Sequence, residues 1–333
     1  MIAKKDSRFK ASQSTAKPKC YNTGMEKVIE VLNLKKTYRL AKGKTLEALK
    51  GISFAVEKGE IFGILGPNGA GKTTTLEIIE GLKNQTSGTV FVLGFDNLKN
   101  IGEIKKRIGI QLQSSQYLHH LSLGELLDLF ASLYGHTSER EKLLDLVGLK
   151  DKINEEVKNL SGGQKQRFTI ATSLVHSPEI LFLDEPTTGL DPAARRSMWQ
   201  LIKKLNIQGI TIILTTHYME EAEFLCHRVA IMDSGKVLEI DEPRKLIDKI
   251  SDTTQVSFLT DGEVPASLFS NLSQIKKIYS SYPKTTIEIL SVDDVASILS
   301  VLRNNKIAFS GFTLKTASLE DVYLKLTGKE YEQ

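Results

Sequence analysis

The feature that most constrains this chain is a short apolar run that ends in a glycine-rich loop. Ile61–Leu65 is followed at once by Gly66-Pro67-Asn68-Gly69-Ala70-Gly71-Lys72-Thr73, with Thr74 next. A five-residue apolar run suits a strand buried on both faces of a sheet. The spacing of Leu76, Ile79 and Leu82 predicts a helix over Lys72–Gly81, ending at the glycine. Strand, loop and helix in that order satisfy G-x-x-x-x-G-K-[ST] in the setting its chemistry needs. Glycines let backbone N–H groups turn inward around a phosphate, and the helix start adds partial positive charge. Lys72 then reaches the phosphates and the Thr73 hydroxyl can ligate Mg²⁺. An α/β fold built on a mostly parallel sheet follows.

Two further motifs extend that reading. The apolar run Ile180–Leu183 ends in Asp184-Glu185. A carboxylate at the end of a buried strand can hold Mg²⁺, and the next one can deprotonate an attacking water. Upstream, Leu160-Ser161-Gly162-Gly163-Gln164 opens a helix expected over Gln164–His176. A hydroxyl at the cap position followed by two glycines makes a second anion-binding helix start.

The rest of the pattern supplies the frame. Strands are expected at Val28–Leu32, Leu46–Val56, Ile108–Gln113, Ile210–Leu214, Val229–Met232 and Val237–Ile240. Helices are expected at Leu123–Tyr134, Glu139–Val147 and Ala193–Asn206. Beyond a connection near 248–254, strands at Gln255–Leu259, Ile275–Tyr279, Thr286–Ser291 and Ile307–Thr316 alternate with helices at Ala266–Leu272 and Asp293–Arg303. That β-α-β-β-α-β order is that of a ferredoxin-like α+β unit. A last helix is expected at Leu319–Leu326.

Composition narrows the function. Of 333 residues, 41% are hydrophobic and 25% charged, which suits a globular chain. Two cysteines, Cys20 and Cys226, exclude a disulfide scaffold. A net charge of +4 is too mild to argue for nucleic acid. No apolar run approaches the roughly 20 residues that span a bilayer. Residues 1–24 carry Lys4, Lys5, Arg8, Lys10, Lys17 and Lys19 against Asp6 and read as a basic, solvated tail. His119 and His120 are adjacent and diverge, so they read as solvated loop residues; Cys226 reads as a small buried side chain.

Together the motifs resemble the ATP-binding subunit of an ABC transporter, over about Val28–Ile240. The resemblance implies a P-loop ATPase core over 25–247, a mixed sheet with a helical subdomain near 114–178 and an antiparallel β subdomain, followed by the small unit at 252–330. It also implies roles: Lys72, Glu185 and His217 in catalysis; Tyr38, Gly66–Thr74 and Ser161–Gln164 around ATP; Thr73, Asp184 and Gln113 at Mg²⁺, with Gln111 a neighbouring alternative to Gln113. Gly189-Leu190-Asp191 matches the loop that follows the catalytic glutamate. The family pairs two such subunits head to tail on separate membrane permease subunits. The expected location is therefore peripheral, on the cytoplasmic face. The ending Ser318–Gly328 resembles the drug, antibiotic and polysaccharide export branch. Relatives acting on DNA or ribosomes carry coiled-coil or zinc insertions or a second cassette, and this sequence has no heptad array, cysteine cluster or second phosphate loop.

Overall fold

A computed structural model describes residues 26–111, 117, 118, 120–250 and 253–328. The basic tail, Cys20, Gln113 and His119 lie outside the described residues. Along the chain run β1 (Lys27–Arg39), β2 (Thr45–Glu57), β3 (Ile61–Leu65), α1 (Lys72–Ile79), β4 (Ser87–Val92), β5 (Phe95–Asp96), α2 (Ile101–Lys105) and β6 (Ile108–Gln111). Next come α3 (Leu123–Leu133), α4 (Arg140–Leu146), α5 (Gly162–Ser173), β7 (Ile180–Asp184), α6 (Pro192–Ile207), β8 (Thr211–Thr216), α7 (Met219–Leu225), β9 (Arg228–Asp233), β10 (Lys236–Asp241) and α8 (Pro243–Asp248). The last stretch holds β11 (Thr254–Thr260), β12 (Ile275–Ser281), β13 (Lys284–Ile289), α9 (Val295–Asn304), β14 (Phe309–Thr316) and α10 (Leu319–Thr327).

The central sheet has the order β10-β9-β3-β8-β7-β6. All its pairs are parallel except β9 with β10. Its inner strands are apolar on both faces because each face meets a separate core. Ile61, Leu65, Leu181, Leu183, Ile212, Leu214, Val229 and Ile231 point to the helical side. Phe62, Ile64, Ile180, Phe182, Ile213, Ala230 and Met232 point to the core shared with α1 and the antiparallel sheet β2-β1-β4-β5. Period-two alternation thus divides one strand between two layers.

β1 runs on to Arg39 rather than stopping at Leu32. A register irregularity between Val31 and Leu34, with Asn33 at φ +47°, breaks the alternation while pairing with β2 continues. That continuation carries Tyr38 to the edge of the phosphate loop.

The C-terminal sheet, β12-β13-β11-β14, is antiparallel throughout. Val256, Phe258, Ile287 and Ile289 pack on Ile298 and Leu302 of α9. Where the sequence predicts a helix over Ala266–Leu272, the chain makes one 3-10 turn, Ala266–Phe269, which buries Phe269 alone. The last helix differs more. Leu319, Val322 and Tyr323 of α10 join the helical-side core of the central sheet, not the core of the C-terminal sheet. Among the described residues, no helix is long and apolar enough to cross a membrane.

Candidate nucleotide-hydrolysing site

Because β3, β7 and β8 are parallel neighbours, their C-terminal ends come together. The phosphate loop leaves β3, Asp184 ends β7 with Glu185 next, and His217 follows β8. Gly71 caps α1 at φ +104°, a conformation costly to any side chain, and offers no side-chain acceptor to the helix start. The first N–H groups of α1 are therefore left to an anion. Lys72, only 4% exposed, donates to the carbonyls of Gly66 (2.8 Å) and Pro67 (3.2 Å). Its ammonium also lies 3.2 Å from Oε1 of Glu185.

Glu185 is held from several sides. Its backbone takes φ +47°, and its N–H donates to the carbonyl (3.2 Å) and Oγ1 (3.0 Å) of Thr215. Oε2 accepts from Thr188 Oγ1 at 3.1 Å and lies 3.2 Å from His217 Nδ1. Burial works to raise its carboxyl, but Lys72, His217 and the hydrogen bonds outweigh it and hold it below the usual value. Glu185 is thus an anion at neutral pH and able to accept a proton.

Asp184 sits in a different field. Burial raises its carboxyl, opposed by hydrogen bonds from the hydroxyls of Thr215 and Thr73. Both donate to Oδ1, Thr73 from 3.4 Å. Just past α1, Glu80 is pushed up to about 8 by burial and by the nearby charges of Asp184 and Glu77. An acid this buried beside a second carboxylate stays protonated at neutral pH.

Tyr38 lies half-buried, its hydroxyl 3.4 Å from Thr74 Oγ1, with Lys36 and Lys83 ammonium groups 5.0 and 5.7 Å from its ring centre. A ring flanked by two cations at the loop's edge offers both stacking and countercharge.

Ser161 and Gln164 cap α5 reciprocally: Ser161 N–H donates to Gln164 Oε1 (2.9 Å) and Gln164 N–H to Ser161 Oγ (3.3 Å). Ser161 and Gly162 are exposed. Among the described residues, no hydrogen bond or ion pair joins Ser161–Gln164 to Gly66–Thr74. The loop, Asp184, Glu185 and His217 converge within the chain, and among the described residues Ser161–Gln164 make no such contact with the loop. Gln166, one turn into α5, donates to the carbonyl of Pro186 at 3.0 Å and ties the helix to the segment after Glu185.

Gln111, the last residue of β6, is buried opposite Leu183. His120 is exposed, and burial pushes the Cys226 thiol well above its usual range. Sequence reasoning does not find Thr215 or Glu221. Glu221 is fully buried, its Oε1 accepting from Thr187 Oγ1 (2.8 Å) and Trp199 Nε1 (2.9 Å). With Glu220 and Glu223 beside it in the same short helix, nothing in the sequence singles out Glu221 as the buried one.

The parallel sheet, the glycine-bounded loop and the paired acids define a P-loop nucleotide-hydrolysing cassette. The ABC transporter family model matches residues 49–188. The chain is 35% identical over 312 residues to the linearmycin resistance ATP-binding protein LnrL of Bacillus subtilis, covering 91% of this chain and 99% of that protein. It is 36% identical to the Nod factor export ATP-binding protein I of Burkholderia thailandensis, covering 85% of this chain and 92% of the relative. Among solved structures, a dimeric post-hydrolysis state of the ATP-binding cassette MJ0796 bound to ADP and Pi superposes with a TM-score of 0.58 at 30% identity, over 64% of this chain and 98% of that one. The chain belongs to the ABC transporter ATP-binding family: it is the ATP-binding subunit of such a transporter, and an ATPase.

Proposed function

We propose that Tyr38, Gly66–Thr74, Asp184, Glu185 and His217 form one half of an ATP site, and that Ser161–Gln164 of a second nucleotide-binding subunit forms the other. One observation carries this reading: Glu185 stands 3.2 Å from both Lys72 and His217 at the mouth of the phosphate loop, while the exposed start of α5 makes no hydrogen bond or ion pair with that loop among the described residues.

The residues present fit ATP and Mg²⁺. The uncapped start of α1 and Lys72 suit a polyphosphate, and the Thr73 hydroxyl beside the Asp184 carboxylate gives two hard oxygen donors. Gln113, which the family resemblance adds, lies outside the described residues. When bound, ATP with Mg²⁺ supplies the phosphoanhydride to be cleaved and most of the charge in the site. Glu185 takes the proton of the attacking water. His217 holds the carboxylate in place and adds a donor at the terminal phosphate. Lys72 supplies the cation that charge developing in the transition state requires.

A start of α5 that is exposed and, among the described residues, makes no hydrogen bond or ion pair with the phosphate loop favours a pair of subunits as the working unit. Nucleotide that bridges the pair favours the closed arrangement by its differential affinity, and hydrolysis removes that bias. The names of the relatives, an antibiotic-resistance and an export protein, favour export. We place the chain at the cytoplasmic face of a membrane, held by separate permease subunits that carry the cargo path; nucleic acid has no part in this reading.

Glu185→Gln tests it, because the amide keeps the shape and loses the proton acceptor. The variant is expected to bind ATP as well as the parent, to lose nearly all turnover, and to accumulate as a nucleotide-bound dimer on size exclusion. Undiminished phosphate release, or a strictly monomeric variant in excess ATP, defeats the assignment.

A further inference from the structure

After β14 the chain leaves the C-terminal sheet, and α10 returns to the cassette. Leu319, Val322 and Tyr323 are 0%, 2% and 2% exposed, and they share a core with Met219, Ala222 and Leu225 of α7 and Leu246 of α8. Two polar contacts fix the helix, one at its start and one at its middle. The N–H of Leu319, at the start of α10, donates to Glu223 of α7 at 2.8 Å. One turn on, the Tyr323 hydroxyl donates to Asp233 at the end of β9 at 3.3 Å.

Both anchor points adjoin the hydrolytic site. α7 begins two residues after His217, and its Glu221 holds Thr187, two residues after Glu185. The turn after β9 backs the phosphate loop: Gly235 N–H donates to the Ala70 carbonyl at 3.0 Å, and a Cβ on Gly66 would stand 2.3 Å from the Met232 carbonyl. A helix of seven residues such as α7 has little stability of its own, so tertiary contacts set its position. A carboxylate that accepts from the first N–H of another helix is one of the stronger such contacts.

We propose that α10 is a strut of the ATPase site: Glu223 is a positioning residue that sets His217 through α7, and Tyr323 is one that holds the turn after β9 behind the phosphate loop. The C-terminal segment is then coupled to turnover by direct contact with the helix that follows the histidine. This rests on the reading of His217 given above.

The test uses the full-length chain as Glu223→Ala, Glu223→Gln, Tyr323→Phe and His217→Ala, with Glu223→Ala also combined with His217→Ala. Steady-state hydrolysis gives kcat and KM, radiolabelled ATP gives equilibrium binding, and calorimetry gives Tm. Glu223→Ala and Tyr323→Phe are expected to lower kcat about three- to tenfold, the scale of one lost hydrogen bond, with ATP affinity changed less than about twofold. Glu223→Gln, which keeps an oxygen acceptor, is expected to recover at least about half of the lost rate. In the double variant, Glu223→Ala adds nothing to the loss from His217→Ala. A role confined to holding the fold predicts instead a lowered Tm, fewer ATP sites per chain and losses that multiply. That pattern, or parental kcat in both single variants, overturns the strut. Parental turnover in His217→Ala overturns the reading of the site and the strut with it, so the two failures are told apart.

Discussion

Gly162 occupies the first position of α5, and a Cβ placed there meets nothing within 4 Å. Gly162→Ala therefore separates what the chain needs for folding from what a partner needs for chemistry. Within the monomer, alanine relieves a glycine at a helical position, a gain of up to about 1 kcal/mol. In a chain this long that raises Tm by at most about 2–4 °C. Facing a phosphate held by a second subunit, the added methyl group stands between the helix start and the anion. Losing one charge-assisted hydrogen bond costs about 1.5–3 kcal/mol. At about 1.4 kcal/mol per tenfold, turnover falls by roughly ten- to a hundredfold or more. Phosphate release and scanning calorimetry on the same preparation read both numbers. Parental turnover refutes the phosphate contact at Gly162, and a Tm lowered by several degrees refutes the claim that the site is free of strain. Gly163 is the internal comparison, since a Cβ there would stand 3.2 Å from Ala194 Cβ and require a small shift within the chain itself.

Lys72→Ala is expected to abolish hydrolysis and weaken binding of radiolabelled ATP, since it removes the ammonium that meets both the loop carbonyls and Glu185; parental turnover in this variant contradicts the loop's assignment. Gly66→Ala forces a Cβ against the Met232 carbonyl, which is backbone and cannot swing aside, so it is expected to cost about 1–3 kcal/mol in a denaturant melt. Glu221 has a carboxyl raised above its ordinary 4.5, chiefly by burial and against the hydrogen bonds it accepts. A raised folded-state pKa means its stabilising contribution is complete below that ordinary value and is lost as pH climbs through the folded one. Parental protein is therefore expected to lose Tm relative to Glu221→Gln as pH rises from about 4.5, and parallel curves for the two proteins would show that the buried acid is not the cause.

Much of the site is local chemistry and could be read from order alone. A glycine loop between a five-residue apolar strand and a helix, and two acids closing another such strand, each carry their meaning within about ten residues. The serine and glutamine of the α5 cap likewise satisfy one another across three positions. The alternation inside Ile61–Leu65 and Ile180–Leu183 was legible as burial on both faces. It did not say that the two faces meet different cores, because that depends on elements distant in the chain. Ala266–Leu272 shows the opposite case: its helical spacing is overridden by a tight turn that seats Phe269 under α9.

Sequence by itself determined the cassette: its class, the order of its motifs and the residue types set around a phosphate, since backbone geometry and short-range periodicity dictate them. Tertiary structure alone decided that Thr215 braces both acids, that Lys72 and His217 hold Glu185 ionised, and that α10 lies against α7 instead of the sheet it follows. Those outcomes depend on which groups share a desolvated volume, and residues that share one here lie as far apart in the chain as Ile61 and Tyr323.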